Sequence, residues 1–508
     1  MEAVEPGPAA VASRRLEAVP PEAGRDIIVP ALLLLAVALL VRLPFLGNPV
    51  IEGDEQLYLL VGDRMLQGAL PYVDIWDRKP IGLFLIYAAI RSLGGEGILQ
   101  YQIVATLVAA ATAFLITRIA AGIAAGRGAL FAGITYLLWL NVFGGEGGQS
   151  PVFYNLPVAG AALLTLHAVA RPGSPAQLFR LGAAAMLATG LAMQIKYTAV
   201  FEGVFFGCAL LWQGWRSGAG LPRMLLWGIA WAACALLPTL GALAAYAGLG
   251  ELQAFVFANF TSVFQRNTAV VGSALGRLGG MAGLLLPLAI CAGLGIRLAL
   301  RQQAGEAEAR RMAVFVAGWA ATAIAGVLLF GTYYNHYALP LLVPLSVAAA
   351  PLLGWPAARL GRVPAMAALS LVAVIAGAVL TTLHLRSRGN GSEVRALAEA
   401  VTPGASLYVF DGETILYFLT RAMLPTPYVF PTHLNDLREV GGIGVDPVAE
   451  LRRILASRPA FIITTDSTRA RINPTSWALL SEALRAEYQP VRSVKIGNRH
   501  RVVFQRLP

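Results

Sequence analysis

Apolar runs long enough to cross a lipid bilayer recur along most of the first 385 residues, and no other feature constrains the fold as strongly. A spanning helix needs about 20 mostly apolar residues, because the hydrocarbon core of a membrane is about 30 Å thick. Only 13% of the 508 residues are charged, while 57% are hydrophobic. A soluble domain carries about twice that charged fraction. The chain is therefore predicted to be an α-helical polytopic membrane protein.

The formal net charge of +11 does not indicate nucleic-acid binding. The positive residues fall in short clusters between apolar runs, a pattern that marks the cytoplasmic loops of membrane proteins. Arginines within residues 14–25 place the N-terminus in the cytoplasm, and residues 1–26 are expected to form a disordered tail. The preference for arginine over lysine and the many alanines suggest a bacterial chain. We therefore expect a multi-pass protein of the bacterial inner membrane.

The other arginine-bearing connections fix the number of crossings. They lie near residues 118–127, 171–180, 216–223, 301–311 and 359–362. If all are cytoplasmic, one of about twelve apolar stretches does not cross. Ile81–Leu93 has only about 13 residues and follows Pro80, so we expect a short helix on the membrane surface. About eleven spans then remain within a transmembrane domain at 27–385, with a periplasmic first loop at 48–97.

Composition changes after residue 385. Short β-like and helical runs alternate at Ser406–Phe410, Val448–Ser457, Ala460–Thr465, Trp477–Glu487 and Arg501–Gln505. Such alternation is typical of an α/β domain, and about 120 residues are enough to hold a hydrophobic core. We expect residues 386–508 to form a small periplasmic α/β domain.

The first loop carries the residues with the clearest chemical character, at Glu52–Tyr58, Gly68–Tyr72 and Asp74–Pro80. Residues 55–67 place apolar side chains on one face, as expected of a helix that lies on a membrane. Asp54 and Glu55 stand at the start of this helix. The helix dipole favours acidic groups there, so a simple cap is the alternative to a catalytic pair.

Lysine occurs only at Lys79, Lys196 and Lys495, and the first two flank predicted periplasmic membrane edges. A compact ammonium is suited to a lipid phosphate whose negative charge grows as it leaves. A snorkelling lysine at the membrane interface is the alternative. Arg42, inside the first span, is expected to snorkel in this way.

Asp54-Glu55, Tyr58, Gly68, Pro71-Tyr72 and Asp77–Pro80 resemble the first-loop signature of the GT-C glycosyltransferases. The chain is most similar to the bacterial family-39 enzymes, which include relatives of the protein O-mannosyltransferases and of the lipid A aminoarabinose transferase. The resemblance covers roughly residues 30–360. It extends to the short surface helix, to Lys196 after the fifth span and to Tyr334–Pro340 at the start of a late span.

The resemblance implies an inverting transfer of a sugar from a polyprenyl-phosphate donor to a hydroxyl group of a lipid, glycan or protein acceptor at the periplasmic face. Asp54 matches the catalytic carboxylate, which takes the proton of the acceptor hydroxyl, with Glu55 beside it. Lys79, Lys196 and Arg78 are the candidates for stabilising the departing phosphate. The candidate substrate contacts are Tyr58, Tyr72, Asp77, Glu146, His336 and Tyr337.

The chain departs from the family pattern at several positions. Ile81 follows Lys79-Pro80 where the family often has a second proline, and Gln102 stands where many relatives carry an arginine. Glu146 is the candidate for an acidic residue in the second loop, Gly144–Ser150. The glycines around it either let the backbone approach a ligand or form a flexible turn. His336 is either a sugar or phosphate contact or part of an interfacial aromatic belt.

No run of Cys and His residues has the spacing of a zinc site, and no cofactor is expected to be required. Asp54, Glu55 and Glu146 could nevertheless hold a divalent cation through their oxygens. Glu202, about one turn inside its span, is either functional or paired with an arginine.

A multi-span transporter or flippase is the alternative function, and a scaffold without catalytic activity is a second one. Transporters usually carry repeated halves and bind their substrates near the bilayer midplane. Here the notable ionisable residues cluster at one membrane edge, and no internal repeat is visible. The acidic and Lys-Pro first loop would have no purpose in a scaffold, so the sequence favours the enzyme.

Overall fold

The computed structural model describes residues 25–124, 126–171, 173–266, 272–302, 307–355, 359–360, 363–466 and 471–508. The tail expected at residues 1–26 lies outside this range except for its last two residues, which begin the first helix. Parts of the connections expected at 251–277, 301–311 and 359–362 also lie outside it.

The chain up to Arg388 is mainly helical, as its apolar composition predicts. The helices are α1 Arg25–Arg42, α2 Gly53–Met65, α3 Ile81–Arg91, α4 Ile98–Ala120, α5 Gly126–Leu140, α6 Ser150–Ala170, α7 Pro175–Met193, α8 Val200–Arg216, α9 Leu221–Gly248, α10 Leu252–Val256, α11 Gly272–Gln302, α12 Ala307–Phe330, α13 Leu342–Leu353 and α14 Ala365–Arg388. A short hairpin, β1 Arg359–Leu360 and β2 Val363–Pro364, precedes α14.

Within the described part of the chain, nine helical segments are long and apolar enough to cross a membrane. α5 and α8 are shorter, with 15 and 17 residues, but each packs among the long helices, α5 against α4 and α13, and α8 against α7 and α12. The prediction of about eleven spans therefore requires that α5 and α8 also cross the membrane. α3 has only 11 residues and is too short to cross, which confirms the short helix predicted after Pro80.

The remainder of the chain forms a smaller unit around a mixed sheet. Its elements are α15 Gly391–Ala398, β3 Leu407–Val409, α16 Ile415–Leu419, α17 Pro431–Asn435, α18 Pro447–Ala456, β4 Phe461–Thr465, α19 Pro474–Glu487, β5 Tyr488–Ile496 and β6 Arg499–Arg506. The strand order is β3-β4-β6-β5, with β3 and β4 parallel and the other pairs antiparallel. The α/β character predicted for the C-terminal part is therefore confirmed.

β5 was not predicted from the sequence. It is an edge strand with mostly exposed residues, and it contains Pro490, beside which the pairing with β6 is irregular. A proline is tolerated at such an edge because no neighbouring strand needs its missing N–H group. The strand therefore lacks the alternation of apolar and polar residues from which strands are predicted.

The C-terminal unit rests on the first loop. The Trp76 amide donates to the Pro427 carbonyl at 3.0 Å, and the Arg64 guanidinium donates to the Ala422 carbonyl at 2.7 Å. The Ile415 amide donates to Gln56 Oε1 at 3.1 Å. The first loop and the C-terminal unit therefore lie on the same side of the helical bundle, as the predicted topology requires.

Candidate active site

Asp54 lies in the first turn of α2, and the segment before this helix is held in place by α4. Gln102 Oε1 accepts from the Gly47 amide at 2.6 Å, and Gln102 Nε2 donates to the Asn48 carbonyl at 2.9 Å. A neutral amide, which can both donate and accept, satisfies two backbone groups at once. The glutamine at this position therefore fixes the start of the first loop.

Asp54 and Lys79 form an ion pair across 25 residues of sequence, with 3.3 Å between Oδ2 and Nζ. The Tyr58 hydroxyl donates to the same carboxylate oxygen at 3.2 Å. The ammonium also lies 5.2 Å from the centre of the Tyr58 ring, within the range of a cation–π interaction. Asp54 and Lys79 retain 28% and 25% of their side-chain exposure, so a ligand can reach the pair.

The two charges stabilise each other. Burial by itself would raise the pKa of Asp54, but Lys79, His336 and the hydrogen bond from Tyr58 lower it to about 2. Burial opposes the charge of Lys79, yet Asp54, Tyr58 and Asp77 hold its pKa well above the usual range. Both groups are therefore ionised at neutral pH. Asp54 becomes a stronger base only when the attraction of Lys79 is reduced.

Tyr72 and Asp77 shape the loop that presents Lys79. The Tyr72 hydroxyl donates to the Lys79 carbonyl at 2.8 Å, and its ring packs against Phe84, Tyr246 and Phe255. Its backbone has a φ of 71°, which is uncommon for a residue other than glycine. Asp77 is buried and accepts from the Arg78 amide at 2.7 Å. Burial raises the pKa of Asp77.

A second lysine lies near this ion pair. Lys196 follows α7, and its ammonium lies 4.3 Å from the centre of the Tyr337 ring. Burial and, to a smaller extent, the charge of Lys79 lower the pKa of Lys196 to about 7, and Asp54 opposes this decrease. His336 packs edge-on against Tyr337, with 4.7 Å between ring centres, and interacts electrostatically with Lys196, Asp54 and Lys79. The structure therefore brings six of the predicted residues together, namely Asp54, Tyr58, Lys79, Lys196, His336 and Tyr337.

Arg78, a candidate phosphate contact, is engaged elsewhere. Its guanidinium lies 2.7 Å from Glu439 Oε2 and donates to the Gly442 carbonyl at 2.6 Å. It also stacks on Trp76 at 4.7 Å. Arg266 contacts the same Glu439 carboxylate. Arg78 therefore ties the first loop to the C-terminal unit.

Glu55, although adjacent to Asp54, faces a different environment beside the second loop. It is fully buried, and neither of its carboxylate oxygens has a hydrogen-bond partner among the described residues. The Gly148 amide and the Tyr101 hydroxyl face it without reaching hydrogen-bonding geometry. Burial is the main reason that the pKa of Glu55 rises to about 8, and the charges of Glu52 and Glu146 add to the increase.

Glu146 belongs to a second cluster, and its other two members, Glu52 and His384, were not among the predicted site residues. His384 Nδ1 lies 2.8 Å from Glu146 Oε1, and His384 Nε2 lies 3.3 Å from Glu52 Oε1. Among the described residues, Glu52, Glu146 and His384 have ligand-type atoms within 4.8 Å of one another. The residues that could hold a metal ion thus differ from the predicted cation ligands, which were Asp54, Glu55 and Glu146. His384 could have been predicted as a site residue, because it is an ionisable residue near the end of a span.

The expectation that Arg42 snorkels is wrong. Its side chain is 1% exposed and donates to the Gly147 carbonyl at 3.0 Å and to the Gly145 carbonyl. The guanidinium is retained inside the protein because these second-loop carbonyls satisfy its N–H groups.

The second loop also packs closely on the first, since a Cβ at Gly147 would lie 2.3 Å from Glu55 Oε2. The glycine thus permits this approach.

Within the described ranges, Glu202 is paired with neither an arginine nor a residue of the Asp54 group. The Trp319 indole donates to its carboxylate at 2.8 Å. Glu202 lines a cavity among α6, α8, α12 and the segment before α13, together with Tyr154, Lys196, Thr198 and Tyr337. The cavity therefore begins beside the second lysine of the site.

No family model and no curated protein matches this sequence, whereas solved structures match its fold. The apo structure of ArnT from Cupriavidus metallidurans aligns with a TM-score of 0.62 and 16% identity, and its complex with undecaprenyl phosphate aligns with a TM-score of 0.63 and 17% identity. Both alignments cover 93% of this chain and 97% of ArnT. The oligosaccharyltransferase of Archaeoglobus fulgidus aligns with a TM-score of 0.53 at 10% identity, over 86% of this chain and 69% of that one. These proteins share the GT-C fold, and the predicted fold is confirmed.

Proposed function

We propose that this membrane protein of the GT-C fold is a glycosyltransferase that moves a sugar from a polyprenyl-phosphate donor to a hydroxyl acceptor. The observation that carries the proposal is the ion pair between Asp54, at the start of α2, and Lys79 of the same loop. Lys196 lies nearby. The matching ArnT structure is bound to undecaprenyl phosphate, and a matching oligosaccharyltransferase structure is tethered to an acceptor peptide. Both support a lipid-linked donor and a separate acceptor for this chain.

In the proposed reaction the acceptor oxygen attacks the anomeric carbon while the bond from that carbon to the phosphate oxygen breaks. Asp54 takes the proton of the acceptor hydroxyl, and the phosphate leaves with the electron pair of the broken bond. A single displacement of this kind inverts the anomeric centre. Lys79 and Lys196 stabilise the negative charge that grows on the phosphate.

The ion pair suggests how the base is activated. Before donor binding, Lys79 lies 3.3 Å from Asp54 and lowers the pKa of the carboxyl. A donor phosphate beside Lys79 competes for the ammonium, so the pKa of Asp54 rises toward the range of an effective general base. Donor binding and base activation are then coupled through one lysine.

We place the reaction at the periplasmic face of a bacterial inner membrane, with the N-terminus in the cytoplasm. The arginine-bearing connections support this orientation through the positive-inside rule. The contacts between the first loop and the C-terminal unit support a common side for both.

The proposal is tested by Asp54→Asn, with Asp63→Asn as the matched control. Asp63→Asn is the same substitution on the same helix. Asp63, however, pairs with Arg91 at 2.9 Å and not with Lys79. A strain that lacks the gene is complemented with the wild type or with either variant. Mass spectrometry of its envelope lipids, glycans and glycoproteins then identifies the sugar that is lost.

We expect the wild type and Asp63→Asn to restore the sugar, and Asp54→Asn to reduce transfer by about 10²- to 10⁴-fold at an unchanged protein level. Full restoration by Asp54→Asn would remove the catalytic carboxylate from the proposal. It would also bring forward the alternative of a multi-span transporter or flippase.

A further inference from the structure

We propose that Glu52, Glu146 and His384 form a binding site for one divalent transition-metal ion, with Glu55 facing the same cluster. One ligand-type atom of each of the first three residues lies within 4.8 Å of the others. The residues come from three separate segments, namely the residue before α2, the second loop and the end of α14. The site excludes Asp54, and metal binding does not depend on the proposed sugar transfer.

His384 lies at the centre of this cluster. Its two ring nitrogens face Glu146 Oε1 at 2.8 Å and Glu52 Oε1 at 3.3 Å. A histidine that binds a metal through one nitrogen commonly donates its other N–H group to a carboxylate. One of the two glutamates can therefore orient the imidazole ring, while the other binds the metal ion together with the second ring nitrogen.

Unpaired oxygens provide a second and independent observation. Both carboxylate oxygens of Glu55 and the Oε2 atom of Glu146 are buried without a hydrogen-bond partner in the described part of the chain. Glu55 is completely buried and Glu146 is 3% exposed. A buried carboxylate normally finds a positive partner or binds a metal ion. These oxygens are therefore available to a cation.

The nearby arginines do not fill this role. Arg42 donates to the carbonyls of Gly145 and Gly147, and no carboxylate is among its described hydrogen-bond acceptors. Arg388 lies 3.8 Å from Glu52 Oε2 and is half exposed. Glu55 and Glu146 thus face one buried guanidinium, and its N–H groups are already occupied by backbone carbonyls. A divalent cation would balance the remaining negative charge.

The ligand chemistry narrows the choice of metal. Magnesium and calcium prefer sites made only of oxygen atoms. A set of carboxylate oxygens with one imidazole nitrogen suits manganese or zinc better. Such an ion would link the first loop, at Glu52 just before α2, to the second loop and to α14.

The test uses the purified full-length protein in detergent, stripped with a chelator and titrated with Mn²⁺. Binding is followed by electron paramagnetic resonance, and Zn²⁺ is added as a competitor. We expect one Mn²⁺ per chain, displaced by Zn²⁺, with a ¹⁴N hyperfine coupling from an imidazole. Glu146→Gln and His384→Ala should each weaken binding at least tenfold, and His384→Ala should remove the nitrogen coupling.

The matched control is His167→Ala, because His167 is exposed on α6 and should leave binding unchanged. Absence of stoichiometric Mn²⁺ and Zn²⁺ binding to the wild type would overturn the proposal. Binding to the wild type without nitrogen coupling would also overturn the proposal. This outcome is measured on the wild type alone, so it does not depend on whether a variant folds. Binding that survives both substitutions at full affinity would place the metal elsewhere.

Discussion

At the scale of the residue, Asp54 and Glu55 show how strongly surroundings decide chemistry. The pKa of Asp54 falls to about 2 despite burial because Lys79 pairs with it, whereas burial without a paired cation raises the pKa of Glu55 to about 8. Consecutive residues on a helix point in directions about 100° apart, so the two carboxylates face different loops. A motif of two adjacent acidic residues therefore contains two carboxyl groups whose pKa values shift in opposite directions.

Lys79→Ala tests the phosphate role of the first lysine. The variant loses a charge-assisted contact, which contributes about 1.5–3 kcal/mol, so apparent donor affinity should fall roughly 10- to 100-fold. Initial rates measured against donor concentration and against acceptor concentration distinguish a loss of donor affinity from a loss of acceptor affinity. Lys495→Ala, on β5, is the control and should behave as the wild type. A defect confined to the acceptor would exclude the phosphate role of Lys79.

Lys196 predicts a pH dependence. Burial lowers its pKa to about 7, so its ammonium is charged below that pH and neutral above it. A polyprenyl-phosphate sugar is a phosphodiester and keeps its negative charge throughout this range. We expect kcat/KM for the donor to be highest below about pH 7 and to fall as the pH rises from 7 to 9, because this ratio reports groups of the free enzyme.

Lys196→Arg provides the comparison for this pH profile. Guanidinium stays protonated at every pH in the assay, so the variant should lose the decrease above pH 7. Asp54 is ionised over the same range and does not contribute to it. Identical profiles for the wild type and Lys196→Arg would assign the pH dependence to another group.

At the scale of the element, α3 connects the two lysines. It begins at Ile81, directly after Lys79 and Pro80, and the Leu83 amide donates to the Gln194 carbonyl at 3.1 Å. A Cβ at Gly82 would lie 2.6 Å from the Gln194 side chain, so only glycine permits this approach. One contact between a short helix and the end of α7 thus sets the distance between segments that are far apart in sequence.

The short helix also provides a test of topology. Ser92, just after α3, is exposed. In a background without Cys208, Cys234 and Cys291, a Ser92→Cys variant should react with a membrane-impermeant thiol reagent added from the periplasm. A cysteine in the connection between α8 and α9, at Ser217, should be protected from it. The opposite pattern would reverse the proposed orientation.

The sequence predicted those elements that depend on local composition. The lengths of the apolar runs, the short helix after Pro80 and the strands near residues 407 and 461 can be inferred from nearby residues alone. β5 could not, because an exposed edge strand carries little apolar signal. The proximity of Asp54 and Lys79 follows from a shared loop. The partners of Arg42, Arg78 and Glu52 come from distant segments, and a single sequence contains no information on such pairing.

At the scale of the whole molecule, a buried carboxylate joins the two units. Glu439, from the segment after α17, is 5% exposed and lies between Arg78 of the first loop and Arg266 of the segment after α10. Arg438 beside it donates to the Tyr334 hydroxyl, and the Tyr334 ring stacks with His336. The C-terminal unit therefore contacts the surroundings of Asp54 through charged and aromatic groups.

Glu439→Gln tests the importance of this junction. Two arginines would lose their anionic partner, so the free energy of unfolding should fall by about 1–3 kcal/mol. The measurement is the unfolding temperature in detergent, together with the rate at which a protease releases the C-terminal unit. Glu487→Gln is the control, because its pair with Arg458 is largely exposed. Equal stability of the two variants would show that the junction contributes little.

The position of α14 has a consequence for how the protein is made. His384 contacts Glu146 across 238 residues, and the Gly389 carbonyl accepts from Asn48 across 341 residues. The ribosome therefore completes both acidic loops long before it synthesises the helix that closes over them, since chains emerge from the N-terminus first. A nascent or prematurely terminated chain inserts most of its helices yet lacks this closure. Assembly of the carboxylate cluster is thus a late step that only chains extending past α14 complete.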